Sequence, residues 1–189
     1  YLAFADGWLC ATKTKNDISQ WNVRNVICRK CGFVFVSPCP TQQSLNSHYM
    51  DSFEHSANQN PDFSLQNRLG IIRRLCRPGR KSSYIEIGSN KCPDFISSLS
   101  KLVGSISTVE INQSCTSSYD RIDGIRKTFD IVAAYFVLEH IPNPEEFLSS
   151  CREMMNDKGR LILEVPDVYL YPRDRAGLLL CEHVNHFSP

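Results

Sequence analysis

Gly88 and Glu110 each close a short β-favouring run and lie 22 residues apart (110 − 88), which makes them the first pair able to do chemistry together. Glycine allows the left-handed or closely approached backbone that a ligand-binding bend requires. An acidic side chain at about this distance along an alternating α/β chain reaches a ribose diol. One carboxylate accepts hydrogen bonds from both hydroxyls, so a nucleoside can be recognised without any phosphate contact. No G-x-G-x-x-G accompanies the pair, which argues against a pyrophosphate seated on a helix N-terminus. Taken singly, the glycine reads equally well as ordinary loop chemistry and the glutamate as a solvated strand-end acid; their order along the chain carries the argument.

A second group is "VICRKCGFVFVSPCP", where Cys28 and Cys31 stand two residues apart before Gly32. Two thiolates at that spacing face one tetrahedral ion, and structural zinc needs four ligands. Cys10 lies upstream, but its expected partner position is Gly7, and Cys39 is the remaining candidate ligand. Two readings stay open, a bound zinc and a degenerate ribbon with free buried thiols. A redox role is weaker because the strand-to-helix context of such motifs is missing. A third group is "CEHVNHFSP", offering Glu182, His183 and His186, with His140 of "LEH" as a separate histidine. Histidine and glutamate suit general acid–base work, while a hydrogen-bonded packing or capping role is the plainer alternative for any one histidine.

The elements that must position these residues alternate from about Phe63. Leu69, Ile71, Ile72 and Leu75 predict a helix ending at Pro78-Gly79; "YIEIG" (84–88) is the first strand, and Pro93 opens a helix with Phe95, Ile96, Leu99 and Leu102 on one face. "ISTVE" (106–110) is the second strand, and the segment 112–127 is expected to hide a helix and a short third strand near Gly124 and Ile125. "FDIVAAYFVLEHI" (129–141) has the near-continuous apolar character of a strand buried on both faces. Asn143, Pro144 and Glu146 combine an N-cap, a first-turn proline and a capping-box glutamate. The turn "NDKG" (156–159) then leads into "RLILEVP" (160–166) as a fifth strand. Such alternation implies an α/β fold with a doubly wound, mostly parallel sheet.

Three blocks, "YIEIGSN", "VEIN" and "FDIVAAYFVLEHIPNPEEFLSSCREMMNDKGRLILEVPD", resemble the successive motifs of class I S-adenosylmethionine-dependent methyltransferases over residues 63–189. That resemblance implies a Rossmann-like domain and S-adenosylmethionine as cofactor. It places Glu86, Gly88, Ser89 and Asn90 around the methionine part, Glu110 at the ribose, and Ala134, Tyr135 and Phe136 on the sulfonium side, with His140 near the methyl. Lys91 and Cys92 depart from the family's glycine-rich turn. The cysteine region is similar to the N-terminal zinc-binding domain of sugar C-methyltransferases, matching at Cys28, Cys31, Gly32, Pro38, Pro40, Leu45 and Tyr49. Their "Y-H-E-H" segment is matched here by Glu182 and His183 alone, which implies acid–base roles for those two.

The expected organisation is a partial zinc-ribbon-like knuckle over 1–40, a linker helix and loop over 41–62, and a methyltransferase-like Rossmann domain over 63–189, cut off after its fifth strand. The chain starts at Tyr1 with neither initiator Met nor signal pattern, which reads as a fragment boundary. Apolar residues make up 42% and charged ones 22%, and the net charge is +1, a soluble globular composition without the basic field of a nucleic-acid binder. No apolar run is long enough to span a membrane. The nine cysteines are mostly scattered singly, which fits reduced thiols and a cytoplasmic setting. The expected partner is a small-molecule acceptor. The alternative is a degenerate methyltransferase-like module that serves as a scaffold.

Overall fold

The computed structural model describes residues 2–13, 18–46, 61–88, 92–110, 118–119, 121–122, 124–170 and 183–188, with the backbone course alone over 2–13, 18–23 and 61–64. Two units form, one of Ser56–Tyr135 with Glu145–Leu163, the other of Tyr1–His55, Phe136–Pro144 and Glu164–Pro189. None of the described helices is long and apolar enough to cross a membrane.

In the first of these units, helix α1 (Pro61–Ile71) continues as a π-turn over Ile72–Cys76. Strand β4 (Ser83–Ile87), helix α2 (Pro93–Leu99), strand β5 (Ser105–Val109) and strand β6 (Phe129–Tyr135) follow, then helix α3 (Pro144–Glu153) and strand β7 (Met155–Glu164). The sheet order is β5-β4-β6-β7, with β4 parallel to both neighbours. Backbone bonds from Phe129 N–H to Met154 C=O and from Phe136 N–H to Glu164 C=O make β7 parallel as well. A parallel sheet must be covered on its faces to bury its apolar strands. On β4, Tyr84 faces a core of Leu65, Leu69 and Ile72 from the first helical segment and Phe95 and Leu99 from α2, joined by Ile131, Ala133 and Tyr135 of β6. The opposite side of the strands is equally dry, with Ile85, Val132 and Ala134 at most 1% exposed. The expected mostly parallel, Rossmann-like α/β sheet is therefore present.

Three local expectations differ from what forms. β7 starts at Met155, so "NDKG" extends the strand rather than ending the helix. Asn156 donates its amide to Asp130 at 2.8 Å, and a Cβ on Gly159 would meet the Asn156 and Phe129 carbonyl oxygens at 3.0 and 3.1 Å, a close approach that favours glycine. No strand occurs near Gly124 and Ile125 among the described residues; Tyr119 instead bridges in parallel to Val109 beside β5. Arg77 ends the π-turn in the left-handed region at φ 47, ahead of the proline expected to stop the helix.

At the amino ends of the strands, Asp130 accepts hydrogen bonds from the Ser83 N–H at 2.8 Å, the Ser83 hydroxyl at 3.1 Å and the Asn156 amide at 2.8 Å. The Ser83 N–H above all, then the Asn156 amide, holds its carboxyl below the usual aspartate range against a smaller opposing effect of burial. A carboxylate with a depressed folded-state pKa adds stability above its unfolded pKa and loses it as pH falls through the folded value. Asp130→Ala is thus expected to cost about 1–2 kcal/mol at pH 7, allowing for partial solvent screening. Urea midpoints should show the gap between the two proteins closing as the pH drops below about 4.

In the other unit, β1 (Leu2–Lys13) and β2 (Ile18–Ile27) form an antiparallel hairpin with register shifts between Ala3 and Trp8, where the sequence reading places a cysteine knuckle. β3 (Val34–Val36) pairs with β2, and β8 (Asn185–His186) pairs with β3, both antiparallel. The C-terminal segment is thus an edge partner of an N-terminal strand. A short helical stretch over 42–46 buries Leu45 completely.

Candidate functional site

Register brings three strand ends level. Ile87 of β4 stands opposite Val109 of β5 and Ala134 of β6, so the next residues, Gly88, Glu110 and Tyr135, follow at one rim. Gly88 bends in the left-handed region at φ 70, and its N–H donates to the Val109 carbonyl at 2.9 Å, tying the bend to the end of β5. Ligands in open parallel sheets gather beyond such carboxyl ends. Glu110 is half-buried there, and its N–H donates to the Tyr119 carbonyl at 3.1 Å.

Beneath the rim the side chains are mostly buried. Glu86 accepts a hydrogen bond from the Tyr84 hydroxyl at 3.0 Å, and both are enclosed. Burial, and then the negative Glu86, pushes the Tyr84 phenol well above its ordinary value, so it remains a donor. The Tyr135 ring meets Phe95 edge-on at 6.1 Å and lies 4.2 Å below the Arg68 guanidinium, a cation–π arrangement that braces the end of β6. Ala134 is buried. Phe136 is 45% exposed and takes a left-handed φ of 56, held by its N–H bond to the Glu164 carbonyl. Bulky residues seldom accept that conformation, and such strain tends to collect at functional sites.

Ser89, Asn90 and Lys91 lie outside the described residues. Cys92 immediately precedes α2 at φ −69 and ψ 105, extended backbone open to any residue, and packs against the core. The departure from glycine at Cys92 therefore imposes no strain.

Two histidines far apart in the chain come together. His140 sits on a 3-10 turn (Leu138–His140) directly after β6, and its ring meets that of His183 edge-on at 4.8 Å. Three bonds dock the C-terminal segment here: Val184 N–H to the Glu139 carbonyl at 2.8 Å, Val36 N–H to the Val184 carbonyl at 2.9 Å, and the Asn185 amide to the Ile141 carbonyl at 2.7 Å. His186 is buried and hydrogen-bonded to Asn25 at 2.8 Å. Burial, and then His183, lowers its pKa to about 4, so it is a neutral packing residue at physiological pH. Glu182 lies outside the described residues.

Glu139 received no role from the sequence. It is 1% exposed, and neither carboxylate oxygen has a hydrogen-bond partner in another of the described residues. Burial raises its pKa to about 7, opposed by its own backbone N–H and aided to a smaller extent by the negative Glu164. The available signal was an acidic residue inside an otherwise apolar run, beside a histidine.

In the cysteine region, the turn after Cys28 wraps its sulfur. The backbone N–H groups of Cys31 and Lys30, then the Cys31 thiol, point at the Cys28 sulfur and lower its pKa. Gly32 adopts φ 77 and donates to the Cys28 carbonyl at 2.9 Å, closing the knuckle. Among the described residues Cys28, Cys31 and Cys39 do not converge as one group of ligands; the group that does converge is Glu139, His140 and His183. The Cys10 side chain lies outside the described residues.

A family model for a methyltransferase domain matches residues 33–189. Among curated proteins, the mitochondrial ubiquinone biosynthesis O-methyltransferase of Schizosaccharomyces pombe is 39% identical over 62 residues, which cover 33% of this chain and 22% of that protein. The matched stretch is thus under a quarter of that relative. Among solved structures, coclaurine N-methyltransferase bound to N-methylheliamine and SAH is similar, with a TM-score of 0.51 at 13% identity, covering 69% of this chain and 46% of that one. The chain therefore spans less than half of that neighbour, and the likeness is one of fold.

Proposed function

Because the chain belongs to the methyltransferase-domain family, we propose that it binds S-adenosylmethionine at the rim of β4, β5 and β6 and directs methyl transfer to a small-molecule acceptor. The observation that carries this reading is the register placing the left-handed Gly88 and the carboxylate of Glu110 at the ends of adjacent, hydrogen-bonded strands. The donor set fits the ligand: a carboxylate suits a ribose diol, and a glycine bend suits close passage of a methionine tail.

When bound, the cofactor supplies an electrophilic methyl on a sulfonium. The protein's share is positional. Glu110 would hold the ribose, the Gly88 bend with Ser89 and Asn90 would pass the amino-acid tail, and Ala134 to Phe136 would border the reacting side. Displacement needs the acceptor in line at near-contact distance, and a weak acceptor must also lose a proton. His140, His183 and Glu182 are the proposed groups for that proton. The relative named for ubiquinone biosynthesis and the neighbour solved with N-methylheliamine support a small acceptor, a sugar or natural-product intermediate being the class read from the "E-H" segment. Cys28 and Cys31 would form half of a zinc knuckle, with Cys10 as a remaining candidate.

Calorimetric titration with S-adenosylhomocysteine tests the reading. Saturable binding at micromolar to millimolar ligand is expected. No heat at millimolar ligand, with the protein folded, would instead favour a scaffold that has lost its cofactor.

A further inference from the structure

We infer that Glu139, His140 and His183 form a binding site for one divalent transition-metal ion, separate from the cysteine knuckle. An ion bound there takes His140 and His183 as ligands in place of the proton-accepting role proposed above, and leaves the cofactor-binding reading untouched. The potential ligand atoms of these three residues all lie within 4.8 Å of one another. The His140 Nε2 to Glu139 Oε1 separation is 3.6 Å. A tetrahedral ion with bonds of about 2.1 Å holds its ligand atoms about 3.4 Å apart. Side-chain rotations of about 1 Å would therefore close the triad around such an ion.

The independent observation is the state of Glu139. A carboxylate that is 1% exposed and accepts no hydrogen bond from another of the described residues is costly to bury. The His140 ring, 3.6 Å away, stands beyond hydrogen-bonding distance. A cation between the carboxylate and the two imidazoles would compensate that burial. The backbone is already arranged for it, since the Glu139 carbonyl takes the Val184 N–H and the Ile141 carbonyl takes the Asn185 amide, fixing both segments that carry the ligands. Two imidazoles with one carboxylate match the donor sets used for zinc and non-haem iron with open coordination positions. Oxygen-only ions such as calcium suit this set poorly.

Cobalt(II) and manganese(II) serve as probes on the full chain. Equilibrium dialysis against Mn(II) should give about one bound equivalent, and Co(II) should show visible d–d bands without the near-ultraviolet thiolate charge transfer of a cysteine site. His183→Ala and Glu139→Gln should each weaken binding more than about tenfold. Glu139→Gln preserves shape, so its circular dichroism and urea midpoint, measured without metal, should match or exceed wild type and separate lost ligation from lost folding. A Cys28→Ser/Cys31→Ser double variant should bind as wild type does. The inference is overturned if no ion binds at millimolar concentration, if Glu139→Gln and His183→Ala bind normally, or if only the double cysteine variant loses the metal. Titration with S-adenosylhomocysteine in metal-free buffer reports on the cofactor reading alone, so the two can fail separately.

Discussion

Glu110→Ala is expected to weaken S-adenosylhomocysteine binding by about 50- to 100-fold, roughly 2–3 kcal/mol. The carboxylate sits half-buried at the end of β5, level with the Gly88 bend. Hydrogen bonds to a charged acceptor are worth about 1.5–3 kcal/mol each, and two ribose hydroxyls sharing one carboxylate give less than twice that, since such effects are not additive. Glu110→Gln retains one acceptor oxygen and should lose less than alanine does. Calorimetry on the three proteins gives the order glutamate, glutamine, alanine. Equal affinity for all three would remove the ribose contact from this position and with it the reason for placing the adenosine there.

Gly88→Val should lower affinity for the same ligand below detection and reduce the melting temperature by about 2–8 °C. Gly88 takes φ 70 and spends its N–H on the Val109 carbonyl. A left-handed conformation costs an L-residue about 1–2 kcal/mol, and a β-branched one more. The chain can relieve that cost only by abandoning the bend, which moves the backbone that the methionine tail would pass and loosens the end of β5. Gly88→Asn is the control, because asparagine tolerates left-handed geometry. It should recover most of the stability and part of the binding. Affinity retained by the valine variant would show that the bend is structural and that the tail lies elsewhere.

Most of the parallel sheet was legible in the residues because its signals are local. β4 begins and ends within a residue of the run that announced it, β6 begins at Phe129 as expected but ends at Tyr135, well before its apolar run does, and α3 starts at Pro144, directly after the Asn143 cap signal. Propensity, capping and burial patterning act over a few neighbouring positions, so a single sequence displays them. Gly88 and Glu110 were legible for the same reason, each standing at the end of its own strand.

The succession of strands and helices, and the types of residue at their carboxyl ends, can thus be read from the residues without coordinates. Tertiary structure alone decided which distant segments meet. It paired β8 with β3, set His183 against His140, and enclosed Glu139 without a hydrogen bond from another of the described residues. It also set a hairpin ahead of the Cys28–Gly32 turn, and carried β7 back to Met155 because Asn156 reaches Asp130. The physical reason is that such contacts join residues far apart along the chain, and their free energy comes from burial and hydrogen bonds that exist only once both partners are in place.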